Sequence, residues 1–375
     1  MQSLWRSALR LCRRPSALAR RQSEEKQVRL DRITKGMGAV VAEKETEENL
    51  HDSNPTIADV IYLEGSSHRD AAIYKKKWER CYDMDMADRN ETVSNLMKFS
   101  EVSDCYPDQE ICIRHLPGRM MQIFSLKLVE TPINSGSIQL YGYMAVRDDL
   151  DGLLNYVFNH SRDDPVIAAE IGSLIQMTGP KRGILMLSDV LLEFDMRIKT
   201  GENGEDDIQL IDGLIHYDDH MAFDMPFTSR ISGNCSAVDM SFAVVEIGLE
   251  AIIEVAISEV QSAFHLSLCS FAYVGEVRKE IQLFHGVAAG EMGIRSVVAI
   301  PIDTTMHLKF SVGQKGSGRG ASHSHCCSFG TKLHGCTNRQ IKLEMACISM
   351  KVTWRPPLSS ILLQKKFSFI SVSRS

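Results

Sequence analysis

No stretch of about eighteen apolar residues is free of charge in this chain, which excludes a membrane-spanning helix. Glycine (25) and proline (11) together make less than a tenth of the 375 residues, which excludes collagen-like and low-complexity architecture. Paired Cys-x-x-Cys knuckles, a Gly-x-Ser-x-Gly elbow and a His-Glu-x-x-His helix are all missing, so no local signature marks zinc-knuckle, hydrolase or zincin chemistry. Ten cysteines lie without regular spacing in a chain long enough to fill a core unaided, and they read as reduced thiols. The secretory pattern is missing too, so the sequons at Asn90, Asn159 and Asn234 are not read as glycosylated. What is present is the balance of a globular protein, 44% apolar and 24% charged.

Acidic residues are absent from positions 1–22, which carry Arg6, Arg10, Arg13, Arg14, Arg20 and Arg21. Against a net charge of −6, the remaining chain therefore holds −12. At about 100° per residue, Leu4, Trp5, Ala8, Leu9, Leu11 and Cys12 gather opposite Arg6, Arg10, Arg13 and Arg14. An apolar face opposite an arginine face is what an organelle transit peptide needs, directing the chain to a mitochondrion or plastid. The alternative is a basic solvated extension of a cytoplasmic protein. An acidic body offers no basic stripe for a phosphate backbone, so no nucleic-acid partner is expected.

Ser23 as N-cap, with Leu30, Ile33, Met37, Val40 and Val41 at helical spacing, predicts a helix over about 24–48. Gly36 and Gly38 each cost it about 1 kcal/mol. Residues 49–113 are polar and mixed, with Lys75 to Lys77 near Asp83, Asp85 and Asp88, and have no clear period. From Ile123 the period becomes two. Phe124, Leu126 and Leu128 form one face; so do Ile138, Leu140, Gly142, Met144 and Val146. Val190, Leu192, Phe194, Met196 and Ile198 alternate with Glu193, Asp195, Arg197 and Lys199, which predicts a strand with one buried and one wet face. Over 245–257 Glu246, Glu250 and Glu254 fit the polar stripe of a helix. The odd positions Val245 to Ile257 are all apolar and mostly β-branched, which favours a long strand. Ile341, Leu343, Met345 and Cys347 shift phase to Ile348, Met350, Val352 and Trp354, as a β-bulge would do. The expected fold is an antiparallel β-sandwich preceded by a helical and irregular extension.

The tracts Phe124 to Leu128 (FSLKL), Ser137 to Tyr143 (SIQLYGY), Asn155 to Phe158 (NYVF), Ser161 to Pro165 (SRDDP), Met177 to Gly183 (MTGPKRG), Leu192 to Arg197 (LEFDMR) and Ile211 to Gly213 (IDG) carry a family pattern. It continues in Ala237 to Met240 (AVDM), Glu280 to Phe284 (EIQLF), His307 to Phe310 (HLKF) and Lys351 to Trp354 (KVTW). Together they resemble the grass-plant proteins grouped as domain of unknown function 6598, over about residues 114–355. The resemblance implies a β-rich plant domain without an established activity. Some relatives are joined to a ribosome-inactivating glycosidase, so an accessory role in plant defence is one implied function. The Glu-Ala-x-x-Arg helix of that enzyme is not matched here, because Glu250 and Ala251 are followed by Ile252, Ile253 and Glu254. The tail from Arg355 to Ser375 is unlike the family's usual ending. The expected divisions are 1–22, a helical and irregular region 23–113, the β-rich domain 114–357 and a tail 358–375.

Acidic clusters fall at expected turns: Asp148, Asp149 and Asp151; Asp163 and Asp164; Glu205, Asp206 and Asp207. Loops meeting at one end of a sandwich supply the six to eight oxygens that calcium needs, and the first two clusters are its candidate ligands; solvated turn aspartates are the alternative. The EF-hand pattern fails, since with Gly152 as its glycine the first and twelfth ligands fall on Arg147 and Phe158. His323, His325, Cys327, His334 and Cys336, with Cys326, are the densest soft ligands and the zinc candidates, against a hairpin with ordinary thiols. His216, Asp218 and His220 share a face if a strand runs past Tyr217. Gly313, Gly316, Gly318 and Gly320, with Lys315 and Arg319, lack the helix start that a phosphate loop needs and read as a hairpin loop.

No catalytic residues are assigned and no cofactor is required by the sequence. The expectation is a non-catalytic interaction module that offers loops or an edge strand to a protein or carbohydrate partner. The alternatives are a metal-dependent or lipid-directed module, and an enzyme whose residues assemble only in three dimensions. A fluorescent fusion of residues 1–30 is expected to concentrate in mitochondria or plastids; a diffuse cytosolic signal would sink the import reading.

Overall fold

A computed structural model describes residues 55–58, 115–133, 136–148, 150, 153–168, 170–187, 189–218, 221–314 and 323–359. The chain divides into a unit Met1–Asp52 and a unit Ser53–Ser375. The expected transit peptide, the helix over 24–48 and the tail after residue 359 lie outside the described residues. So does the mixed region 49–113, except for residues 55–58.

The second unit is built of strands: β1 (Thr56–Ile57), β2 (His115–Leu116), β3 (Gly118–Glu130), β4 (Ile138–Arg147), β5 (Asn155–His160), β6 (Val166–Ala168) and β7 (Leu174–Ile175). There follow β8 (Ile184–Leu185), β9 (Val190–Ile198), β10 (Ile208–Tyr217), β11 (Pro226–Ser232), β12 (Ala237–Ser258), β13 (Phe264–Val274) and β14 (Val277–Ala288). The last are β15 (Met292–Pro301), β16 (Thr305–Gln314), β17 (His323–Gly330), β18 (Gly335–Lys342), β19 (Cys347–Arg355) and β20 (Leu358–Ser359). Among the described residues there is no α-helix. Pairing is antiparallel except for β1, which lies parallel to β11 and joins the β-rich body from outside the expected 114–357 domain.

Strand β12 organises the molecule. Its first half pairs with β11 and β3 and its second half with β15 and β19, so one continuous strand runs through two sandwiches. In the first sandwich, the sheet β10-β9-β4-β5 covers the even face, where Val238, Met240, Phe242 and Val244 enter one core. In the second, the sheet β14-β13-β16-β17 covers the odd face, where Ala243, Val245, Ala251, Ile253, Val255 and Ile257 enter the other. Period-two alternation allows this, because successive side chains point to opposite faces and each face supports its own core. A bulge between Val245 and Gly248, opposite β3, separates the halves and leaves Ile247 exposed. The long strand expected over 245–257 is therefore present and extends back to Ala237.

Two expectations are corrected. The phase change before Ile348 is a hairpin and not a bulge: β18 pairs with β19 from Gly335 opposite Trp354 to Lys342 opposite Cys347, and the Leu343 amide donates to the Ala346 carbonyl at 2.9 Å. A tight turn and a bulge both reset the alternation, so parity alone does not distinguish them. Strand β9 is buried on both faces. Glu193 and Asp195, expected in water, are 1% and 0% exposed. Burial there is compensated by pairing: Glu193 accepts from Arg147, and Asp195 accepts from Arg197 and Gln209, each at 3.1 Å. The second face is further filled by Tyr143, Ala145 and Leu154, with Tyr143 edge-on to Tyr156 at 5.8 Å.

A strap from Met177 to Leu185, with a cis Gly179–Pro180 bond, ties the second half of β12 to the first sandwich. Asn155 clamps it by accepting from the Lys181 amide and donating to the Arg182 carbonyl, both at 3.0 Å. Arg182 donates to both oxygens of buried Asp148 at 2.6 and 2.7 Å, and the Gly183 amide donates to Glu250 of β12. A Cβ on Gly183 would lie 2.1 Å from the Met120 methyl carbon, so a larger residue there requires the end of the Met120 side chain to shift.

Farther along β4, beside Tyr141, Arg162 fastens the β5–β6 turn to the β9–β10 loop. It donates to Asp207 at 2.6 Å and to the Gly201 and Glu202 carbonyls at 2.6 and 2.9 Å. The Arg162 guanidinium, and after it the Tyr141 hydroxyl and Thr200 amide, hold the Asp207 carboxyl well below its usual 3.8 against the opposing effect of burial. A depressed folded-state value means stability present above pH 3.8 and lost as the pH falls toward the folded value. Asp207→Asn is expected to lower Tm at pH 7, with the gap from the natural protein narrowing in melts taken below about pH 4; a pH-independent gap would contradict this.

Gly142 has φ +103°, and a Cβ there would lie 2.1 Å from the Asp195 carbonyl oxygen. Gly142→Ala is expected to destabilise by roughly 3 kcal/mol in urea unfolding, from strain in addition to the clash. Gly293→Ala, whose Cβ meets nothing within 4 Å, is expected to stay within about 0.5 kcal/mol.

Candidate functional site

The half-sheet β15, β12, β19 and β18 turns one face to the second core and the other outward. Register decides which outward side chains become neighbours, because these strands are far apart in sequence. One row across the sheet is Arg295, Glu254, Lys351 and Asn338. The next is Gly293, Ala256, Ser349 and Gln340. The second row is short-chained at three of four positions and forms a floor; the first row forms the walls, while Arg339, in register with the core residue Met350, lies on the opposite face of the rim strand β18. The result is an open concavity of about 730 Å³, within the size range of ligand sites.

Charge is unevenly shared there. Glu254 lies 3.1 Å from the Lys351 ammonium and 3.6 Å from the Arg295 guanidinium, so one carboxylate serves two cations. All three side chains are between 36% and 51% exposed, which keeps these pairs weak and screened by salt. Arg339 is exposed and has no carboxylate within ion-pair distance among the described residues. The concavity thus presents two cations against one carboxylate in a chain of net charge −6. Two pleat repeats away on the same face, Glu250 is 2% exposed, held by Gly183 and 3.7 Å from Arg355. The strap closes one end of the outward face and leaves the other open.

The calcium candidates do not converge. Asp148 is buried, and Arg182 and the Leu185 and Leu150 amides occupy its oxygens at 2.6 to 3.0 Å. Asp149 and Asp151 lie outside the described residues. Asp163 and Asp164 sit on the turn after β5, level with Tyr141 of β4 and about 20 Å from Asp148 at roughly 3.3 Å per strand residue. The fold instead brings that turn to the loop of Glu205, Asp206 and Asp207, where Asp207 is already held by Arg162.

The zinc candidates divide between two sheets. His323, His325 and Cys327 are on β17, His334 is in the link that follows, and Cys336 is on β18. Cys326 is exposed, whereas Cys327 packs on the second core and its thiol is pushed up by burial. Among the described residues no three His, Cys, Asp or Glu side chains are grouped to hold a metal ion. Strand β10 ends at Tyr217; His216 lies 3.0 Å from Asp189, and His220 is outside the described residues. Gly313 is in β16, and Lys315, Gly316, Gly318, Arg319 and Gly320 are outside the described residues.

On the outer face of the β13–β16 sheet, Cys269 is 7% exposed and its thiol is pushed up to about 12 by burial, then by its hydrogen bond with Glu280. Such a thiol stays protonated and is a poor nucleophile. The sequence reading singled out Glu254 and passed over Arg295, Asn338, Gln340 and Lys351. Each is an ordinary polar strand residue, and only the pairing of four strands makes them a site.

No curated protein matches this chain. Among solved structures, Human GIVD cytosolic phospholipase A2 is similar at 9% identity and a TM-score of 0.21, with 64% of this chain and 33% of that one covered. This chain thus spans about a third of that enzyme's length. A structure of two C2 domains of Extended-Synaptotagmin 2 is similar at 10% identity and a TM-score of 0.23, with 69% and 98% covered. Likenesses of this size carry neither fold nor function across. The family model described as Domain of unknown function (DUF6598) matches residues 120–354, which include both cores and most of the concave face, and the chain belongs to that family.

Proposed function

We propose that this protein is a non-catalytic interaction module that holds a protein or carbohydrate partner on the concave face of β15, β12, β19 and β18. The observation that carries this reading is the placement of Arg295, Glu254, Lys351 and Asn338 above a floor of Gly293, Ala256 and Ser349. Short side chains on a sheet face make room for a ligand, and polar walls give it direction. The same walls contain no thiol, imidazole or hydroxyl paired with a base, so the chemistry they support is recognition.

Gly293→Phe tests the reading, because a side chain at Gly293 meets no atom within 4 Å and projects over the floor. Arrays of synthetic peptides and of glycans are screened with the natural chain and with this variant. Ligands of the natural chain are expected to weaken about tenfold or more in the variant, about 1.4 kcal/mol, at unchanged Tm. Binding equal in both proteins would overturn the reading.

A further inference from the structure

We infer that the outer face of the sheet β14-β13-β16-β17 carries a second binding site, where Arg278, His307 and Lys309 hold a tetrahedral oxyanion, a phosphate or sulfate group. The site lies on the other sheet of the second sandwich from the concave face and does not rest on the function proposed there.

Register is the first argument. Leu266 and Leu268 of β13 and Leu308 and Phe310 of β16 enter the second core, so the odd positions of both strands face outward. Pairing sets the outward side chains in rows: Glu280, Phe271, His307 and Ser328 in one, and Gln282, Cys269, Lys309 and Cys326 in the next. Arg278 stands opposite Tyr273, just beyond the first row, and lays its guanidinium over the Phe271 ring at 4.1 Å from the centroid. Side chains of β14 and β16 thus meet around an aromatic ring of β13.

Free hydrogen-bonding capacity is the second. Stacking occupies the flat face of the guanidinium and fixes its plane in advance, whereas its N–H donors lie at the edge. Among the described residues, neither Arg278 nor Lys309 has a carboxylate within ion-pair distance. The Nδ1 atom of His307 is engaged with the Ser328 hydroxyl at 2.9 Å, which leaves Nε2 for a ligand. Glu280, the one carboxylate of these rows, shares a hydrogen bond with the Cys269 thiol. Burial, and after it the Arg278 cation, push the His307 imidazole below its usual value, so the charge felt at that ring is positive.

Shape is the third. A planar carboxylate is saturated by the fork of Arg278 alone. A phosphate or sulfate group has further oxygens out of that plane, which suit the point charge of Lys309 and the remaining nitrogen of His307.

The full-length protein tests this, with its histidine rings followed by NMR and its unfolding by calorimetry. It is titrated at one ionic strength with inorganic phosphate, with inorganic sulfate and, as control, with acetate; a further arm offers phosphatidylcholine vesicles with and without phosphatidic acid. Phosphate or sulfate is expected to shift the His307 ring signals and to raise Tm, and acetate at equal concentration to do neither. Arg278→Gln and Lys309→Gln are each expected to weaken binding about tenfold with little change in the Tm of the unliganded protein, and Glu280→Gln to tighten it. Gly293→Phe is expected to leave this binding unchanged, so the two faces stand or fall separately. Vesicle binding that requires both phosphatidic acid and Arg278 supports the site with a lipid headgroup as the source; soluble anions bound while the vesicles stay free support it with a soluble ester. No response of His307 to phosphate or sulfate, a response to acetate as large, or undiminished binding in both Arg278→Gln and Lys309→Gln would overturn the inference.

Discussion

Two hydrophobic cores depend on one strand. Residues 237–258 form a 22-residue β12 whose even face supports the first core and whose odd face supports the second, with both faces apolar between Phe242 and Val245. A strand in this position has no freedom of register, because a slip of one residue would carry each set of side chains to the wrong core. The neighbours β3, β11, β15 and β19 inherit that register directly, and β18 inherits it through β19. The placement of Arg295, Lys351 and Asn338 beside Glu254 is thus a consequence of how the cores pack.

The glutamates of β12 show how environment separates chemically equal residues. Glu250 and Glu254 lie on the same face of the strand. Glu250 lies beneath the strap, accepts from the Gly183 amide and joins the buried polar network that continues through Arg182 and Asp148. Removing one partner from such a network strands a charge in a dry interior, so these groups serve the fold. Glu254 stands in water between Arg295 and Lys351, where its weak pairs can exchange with those of a ligand. The strap, with Gly183 fitted against Met120, makes that difference.

Several features were legible because they are local. The period-two runs of β4, β9 and β12 stand out within short windows of consecutive residues. Other features were not. The wet face expected for β9 is buried where Arg147, diagonal to Glu193 on the neighbouring β4, pairs with its carboxylate, a contact set by strand order and register. The first two acidic clusters were expected to meet at one end of the sandwich, but β5 and β6 return along β4 and carry Asp163 and Asp164 to the level of Tyr141, away from Asp148. The histidines and cysteines of 323–336 are near neighbours in sequence, yet the link before Gly335 crosses from one sheet to another and divides them.

By itself the sequence determined the strand class, the family pattern and the long apolar strand through 245–257, because alternation and β-branching are properties of consecutive residues. The tertiary structure alone decided that this strand serves two cores, that β18 ends its sheet among the described residues, and that Arg295 and Lys351 flank one carboxylate. These facts depend on which strands pair and in what register, and long-range pairing is specified by the packing of both cores together and by no single segment of the chain.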